Sequence, residues 1–136
     1  MKNLFKFTIK TNKYIELIDI TSYVLESIKE SKIKNGICLI YSPHTTAGIT
    51  INENADPSVI SDIEKFLHDK IPHEKYFTHF EGNSPSHIMS SLIGVSETII
   101  IENSKPILGT WQSIYFAEFD GPRTRYFYIK IIKDID

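Results

Sequence analysis

Apolar and polar residues alternate from the start of the chain. Phe5, Phe7 and Ile9 are interleaved with Lys6, Thr8 and Lys10, the period-2 pattern of a half-buried strand. Tyr14 to Ile20 follows across Thr11-Asn12-Lys13, and we expect it to be the hairpin mate of the first strand. The period then changes. Thr21 is the expected N-cap of a helix whose apolar face is Val24, Leu25 and Ile28, with Asn35-Gly36 ending the segment. Ile37 to Tyr41 is an apolar strand, and Gly48 to Ile51 resumes as another. Asp56-Pro57 pairs an N-cap acceptor with a residue whose fixed φ suits a first helical turn. Beyond it Val59, Ile60, Ile63, Phe66 and Leu67 recur at helical spacing, with Asp62, Lys65 and Asp69 facing water. Ser84-Pro85 repeats the start signal, Ile88/Leu92 and Met89/Ile93 form i,i+4 pairs, and Gly94 is the expected stop. Thr98 to Ile101, Ser113 to Phe119 and Tyr126 to Ile132 read as strands, the last two joined through a tight Asp120-Gly121-Pro122-Arg123 turn. The expected fold is α+β, mainly antiparallel sheet with about three helices, in a single domain over residues 1–136.

Composition narrows the function. With 41% hydrophobic and 24% charged residues the chain is an ordinary globular one. A net charge of -2, from 15 basic and 17 acidic residues spread along the chain, leaves no basic stripe for nucleic acid. No run of 18 apolar residues suggests a membrane span. The single cysteine, Cys38, lies among Ile37, Leu39 and Ile40 and reads as a small buried hydrophobe. With no disulfide framework and no secretory apolar segment, a cytoplasmic setting is expected.

Candidate chemistry gathers at three histidines in polar, glycine-punctuated stretches: His44, His79 and His87. His68 and His73 read as surface residues of a charged helix and the loop after it. Three imidazoles with an open fourth position are the catalytic form of a zinc-like site, although 35 residues separate His44 from His79 and only the fold can join them. Isolated, hydrogen-bonded loop histidines are the plainer reading of the spacing alone. Glu53 and Glu81 are candidate general bases or carboxylates that orient an imidazole. Thr45 and Thr46 can donate to an anion, and Asn52, Asn54 and Asn83 lie in the same polar stretches, where turn-making is the alternative. Trp111, in Gly109-Thr110-Trp111-Gln112, is explained most cheaply by core packing. Gln112 and Glu118 share strand parity yet stand about 20 Å apart, too far to touch one small ligand within one chain. Arg123 and Arg125 lie beside the Gly121-Pro122 turn, where a guanidinium can grip phosphate or carboxylate. A subunit contact or a solvated pair explains them as well.

His44-Thr45-Thr46-Ala47-Gly48-Ile49, Asn52-Glu53-Asn54-Ala55-Asp56-Pro57, Glu81-Gly82-Asn83, Gly109-Thr110-Trp111-Gln112 and Phe119-Asp120-Gly121-Pro122-Arg123 together resemble the YjbQ family, also called UPF0047. The likeness runs from about Ser42 to the C-terminus, and the first forty residues fit only in pattern. The resemblance implies a sandwich-like α+β core, a homotrimer, and a divalent metal held by residues matching His44, His79 and His87. Imidazoles favour zinc or another transition metal, and magnesium is the other ion that phosphate chemistry admits. The family has been named for a secondary thiamine-phosphate synthase activity, which joins a pyrimidine pyrophosphate to a thiazole phosphate with loss of pyrophosphate. A small phosphate-bearing substrate would then meet Thr45, Thr46, Asn52, Asn83, Gln112 and Arg123. A trimer that binds a metal or small anion without catalysis is the alternative. Relatives often carry cysteine where this chain has Ala117, so a thiol there is not essential here.

Overall fold

A computed structural model describes residues 2–135. Eight strands and three helices follow in the order β1 (Leu4–Lys10), β2 (Glu16–Asp19), α1 (Thr21–Ser31), β3 (Gly36–Tyr41), β4 (Ala47–Glu53), α2 (Pro57–Lys70), α3 (Ser84–Ile93), β5 (Ser96–Glu102), β6 (Lys105–Pro106), β7 (Gln112–Glu118) and β8 (Thr124–Lys133). They form two antiparallel sheets, β1-β8-β3-β5-β6 and β2-β7-β4. The α+β expectation holds.

The inner faces of the two sheets meet in the main core, where Phe5, Cys38, Ile40, Ile49, Phe116, Phe127 and Ile129 pack with Val24 and Ile28 of α1. Cys38 is buried as expected, and burial pushes its thiol up to about 12, so it is no nucleophile. A second cluster lies on the other side of the three-stranded sheet. There Leu17, Tyr115, Ala117 and Phe119 meet Leu67 of α2 and Met89 of α3.

The expected hairpin of the first two segments does not form. β1 pairs with β8, with Phe7 opposite Phe127, and β2 pairs with β7, with Glu16 opposite Glu118. Thr11 explains the switch of sheet. Its backbone N–H donates to the Arg123 carbonyl at 2.9 Å and its hydroxyl donates to Glu118 Oε1 at 2.8 Å, which ties the crossing segment to the far turn.

Four helical details also differ from expectation. Thr21 is the first helical residue rather than the cap, because its hydroxyl accepts from the Ile114 N–H of β7 at 2.9 Å. Leu25 is exposed, and α1 instead buries Ser27 and Ser31 beside Val24 and Ile28. These serines tolerate burial because each donates to a backbone carbonyl of its own helix, that of Tyr23 or Ile28. The helix stops at Ser31 with Lys32 left-handed at φ 60, ahead of Asn35-Gly36. On α2 and α3 the apolar faces are narrower than the periodicity suggests, since Phe66 and Leu92 are exposed.

Asp56 caps α2 as expected, accepting from the Ser58 N–H at 2.9 Å. We expect Asp56→Ala to lower the thermal midpoint by a few degrees and Asp56→Asn, which keeps an acceptor, to leave it nearly unchanged in a circular-dichroism melt.

Candidate functional site

The His44 loop spans residues 42–46 between β3 and β4. Ser42 fixes both of its ends: its N–H donates to Val95 at 2.8 Å, and its hydroxyl donates to the Ala47 carbonyl at 3.2 Å. Two further serines hold α3 against the same place. The Ser86 hydroxyl donates to the Phe119 carbonyl at 2.6 Å, and the Ser90 hydroxyl donates to Ala47 at 3.1 Å. Being small and one turn apart, they let the helix approach the sheet closely while their hydroxyls are satisfied. His87, one residue after Ser86, is thereby placed on the partly open side of α3.

The half-buried His44 ring packs edge-on against Tyr126 with centroids 4.8 Å apart. Its Nε2 lies 3.0 Å from the Tyr126 carbonyl oxygen and 3.1 Å from the Tyr126 N–H. The two contacts correspond to two tautomers, Nε2–H donating or Nε2 accepting. Burial, and then the nearby Arg125 charge, hold its pKa below the ordinary histidine value, which favours the neutral ring.

His79 and His87 meet directly, their rings perpendicular at 5.1 Å between centroids. A pocket of 440 Å³ opens between the His44 loop and α3, lined by Ser42, His44, Thr45, His87, Ser90 and Ser91. A neighbouring one of 460 Å³ is lined by Tyr76, Phe77, His79 and His87. His87 therefore stands between His79 and the His44 loop. Among the described residues, no group of three or more His, Cys, Asp or Glu side chains stands so that it could hold a metal ion. Imidazole nitrogens are donors of the type a transition metal takes. With Nε2–H donating to the Tyr126 carbonyl, His44 keeps Nδ1 as a free lone pair, oriented by a backbone acceptor as ligating imidazoles usually are.

The other candidates separate into two places. Arg123, Asn83 and Glu81 come together through Asp120. Arg123 Nη2 lies 3.1 Å from Asp120 Oδ2, while Asn83 Nδ2 donates to the same oxygen at 2.8 Å and to Glu81 Oε2 at 3.2 Å. Asn83 Oδ1 is buried and receives no hydrogen bond from the protein. By contrast Asn52, Glu53 and Gln112 sit at the far end of β4 and β7, where Glu53 is opposite Gln112, whereas Ala47 beside the His44 loop is opposite Glu118. Six residues of strand, about 20 Å, lie between. Gln112 spends its side-chain oxygen on the Gly109 N–H at 2.7 Å. Trp111 is not core packing: it is exposed in that turn, its carbonyl accepting from Asn54 N–H. Thr45 is exposed at the pocket, whereas Thr46 is buried, its hydroxyl accepting from Arg125 at 2.7 Å. His68 and His73 are exposed, as expected.

Arg125 overturns the expectation of a solvated or subunit contact. It is 4% exposed and pairs with Glu118, which is 0% exposed. Nε donates to both carboxylate oxygens, at 2.9 and 3.1 Å, and Nη2 reaches Glu118 and Thr46. The signal was present in the sequence as a glutamate inside the apolar run Ile114 to Phe119, which demands a buried cation nearby.

The chain belongs to the UPF0047 family. The sequence profile of the UPF0047 protein YjbQ-like family matches residues 5–134. A UPF0047 protein of Methanocaldococcus jannaschii is 66% identical over 134 residues, covering 98% of this chain and 97% of the relative. The UPF0047 protein YugU of Bacillus subtilis is 54% identical over 125 residues, 91% of this chain and 95% of its own length. A crystal structure of an uncharacterized YjbQ/UPF0047 family protein from Clostridium acetobutylicum superposes with a TM-score of 0.91 at 51% identity, covering 94% of this chain and 99% of that one. A hypothetical protein from Aeropyrum pernix gives 0.91 at 32% identity, covering 98% and 100%. Among the described residues no helix is long and apolar enough to cross a membrane.

Proposed function

We propose that the chain is a metal-dependent enzyme acting on a small phosphate-bearing substrate, assembled as a homotrimer, with His44, His79 and His87 as ligands of zinc or a similar transition metal. The observation that carries the reading is His87, which lines both the His44 pocket and the His79 pocket. A bound metal of this kind polarises a phosphate or carbonyl oxygen. The exposed Thr45 hydroxyl at the same pocket can donate to an anionic group, and Arg123 adds a guanidinium from the turn joined to Glu81 and Asn83. Glu81, two residues from His79 and exposed, is the carboxylate best placed along the chain to take a proton. The thiamine-phosphate synthase reaction falls within this substrate class and is one candidate for it.

A non-catalytic trimer that holds a metal or small anion is the second reading, and the placement of carboxylates favours it: Glu118 is closed off by Arg125, and Glu53 lies at the far end of β4. Calorimetric zinc titration of protein purified without an affinity tag tests the shared premise. Wild type is expected to bind zinc, and His87→Ala to lose at least tenfold in affinity while its circular dichroism is unchanged. Absence of zinc uptake by wild type rejects both metal readings. Turnover on a panel of phosphate esters, lost in His87→Ala, separates the enzyme from the binding protein.

A further inference from the structure

The second core cluster leaves a cleft open beneath α2. On the outer face of the three-stranded sheet Ala117 stands in register with Leu17 of β2 and Gly48 of β4, so the middle of that face carries little side-chain volume. The helix is held along the β2 side. Glu64 Oε2 accepts from the Leu17 N–H at 2.8 Å, and Oε1 accepts from Lys13 Nζ at 3.0 Å. Among the described residues no hydrogen bond ties α2 to β4. A cleft of 510 Å³ remains there, within the range of small-molecule sites, about 300–1,000 Å³. Ile63, Phe66, Leu67, Ile93 and Phe119 form its apolar walls, and it shares no lining residue with either histidine pocket. Phe66 is 59% exposed on this wall.

The polar groups of the cleft carry one sign. Asp62 of α2 is the sole ionisable residue lining it, and among the described residues Asp62 has no ion-pair partner. Thr50 and Asn52, two apart on β4 and so on one face of the strand, line the same space. Asn52 Oδ1 is taken by the Glu53 N–H at 2.7 Å, whereas the Thr50 hydroxyl has no partner among the described residues. Apolar walls with a few convergent polar groups are the form of a small-molecule site, the walls supplying affinity and the polar groups orientation. A carboxylate with no cation of its own selects a cationic head group and rejects an anionic one.

We propose that the cleft between α2 and β4 binds a small amine, its apolar body lying over Ala117 against Ile63 and Phe66 and its ammonium reaching Asp62, with the Thr50 hydroxyl as a second acceptor. The ligand class differs from the phosphate-bearing substrate of the histidine pocket. The inference therefore stands apart from that reading.

Octylamine, octanol and octanoate share one apolar chain and differ in head group, and an amide NMR titration of the full chain with each tests the proposal. Octylamine is expected to shift the signals of Ile63, Phe66 and Ala117 while those of His44 and His87 stay in place. It is expected to bind about fivefold tighter than octanol, the scale of one solvent-exposed ion pair, with octanoate the weakest. Asp62→Asn is expected to bring octylamine to the affinity of octanol and to leave octanol unchanged. Ala117→Leu fills the floor of the cleft and is expected to remove binding of all three with its circular dichroism unchanged; should this buried substitution unfold the chain, Asp62→Asn on the exposed helix surface still decides. Octylamine no tighter than octanol or octanoate, shifts centred on His44 and His87, or octylamine unweakened by Asp62→Asn overturns the proposal. So does the absence of binding by any probe, and if Ala117→Leu then also changes the mass in light scattering, the occupant of the cleft is a second copy of the chain.

Discussion

Glu118→Ala is expected to lower the free energy of unfolding by about 3 to 5 kcal/mol, the usual cost of leaving one partner of a buried ion pair uncompensated. The carboxylate is wholly enclosed and accepts from the Arg125 guanidinium, the Thr11 hydroxyl and the Asp120 N–H at once. Removing it strands Arg125 at 4% exposure and loosens three chain segments together. Urea denaturation measures the effect as a fall in midpoint with an unchanged slope. A loss under about 1 kcal/mol, the scale of a solvated surface pair, would show that water reaches the guanidinium. The pH dependence has a definite sign. Burial pushes the Glu118 carboxyl up, but the hydrogen bonds and charge of Arg125, with Asp120 N–H and Thr11, outweigh it and hold the folded pKa below 4.5. The pair's contribution is therefore complete above the unfolded glutamate value and is lost as pH falls from 4.5 through the lower folded value. Wild type should lose stability over that window more steeply than Glu118→Gln, which has no carboxyl to protonate.

Element type was readable wherever one face of a segment is buried and the other wet. The alternation of Phe5, Phe7 and Ile9 gave a strand, and Asp56-Pro57 gave the start of α2, because each signal is local. Pairing was not readable. Nothing between Lys10 and Tyr14 distinguishes a hairpin from a crossing between sheets, since the decision rests on Thr11 bonding to Glu118 and Arg123, more than a hundred residues away. Trp111 failed for a related reason: a large aromatic before an apolar strand is ordinarily interior, and here its turn projects from the end of the sheet. The histidines illustrate the same limit at the site. Their residue types and loop setting mark them as chemistry, and the fold brings His79 to His87. Whether Glu53 and Gln112 share that site depends on contacts that a single chain's register, which sets them at the far end of β4 and β7, does not make.

The spacing between β4 and α3, on which the histidine pocket depends, is set by a missing side chain. A Cβ on Gly48 would overlap the Gly94 carbonyl oxygen, which itself accepts the Ile49 N–H at 3.1 Å. Gly48→Ala must push the end of α3 off the sheet, weakening that bond and the Ser90 bond to Ala47. Overpacking with the loss of a buried hydrogen bond is expected to cost about 2 to 4 kcal/mol. Gly82→Ala is the informative control. Gly82 sits at φ 78 in the exposed loop before α3 with open space where a Cβ would stand, so only backbone strain, about 1 to 2 kcal/mol, opposes the change. Denaturation midpoints of the two variants, measured together, should therefore differ with Gly48→Ala the weaker. Because Ser86 and Ser90 hold His87 in place through the same helix, Gly48→Ala should also weaken zinc binding under conditions where it remains folded. Equal stabilities for the two variants would mean that α3 yields freely, and that the position of His87 is not fixed by the sheet.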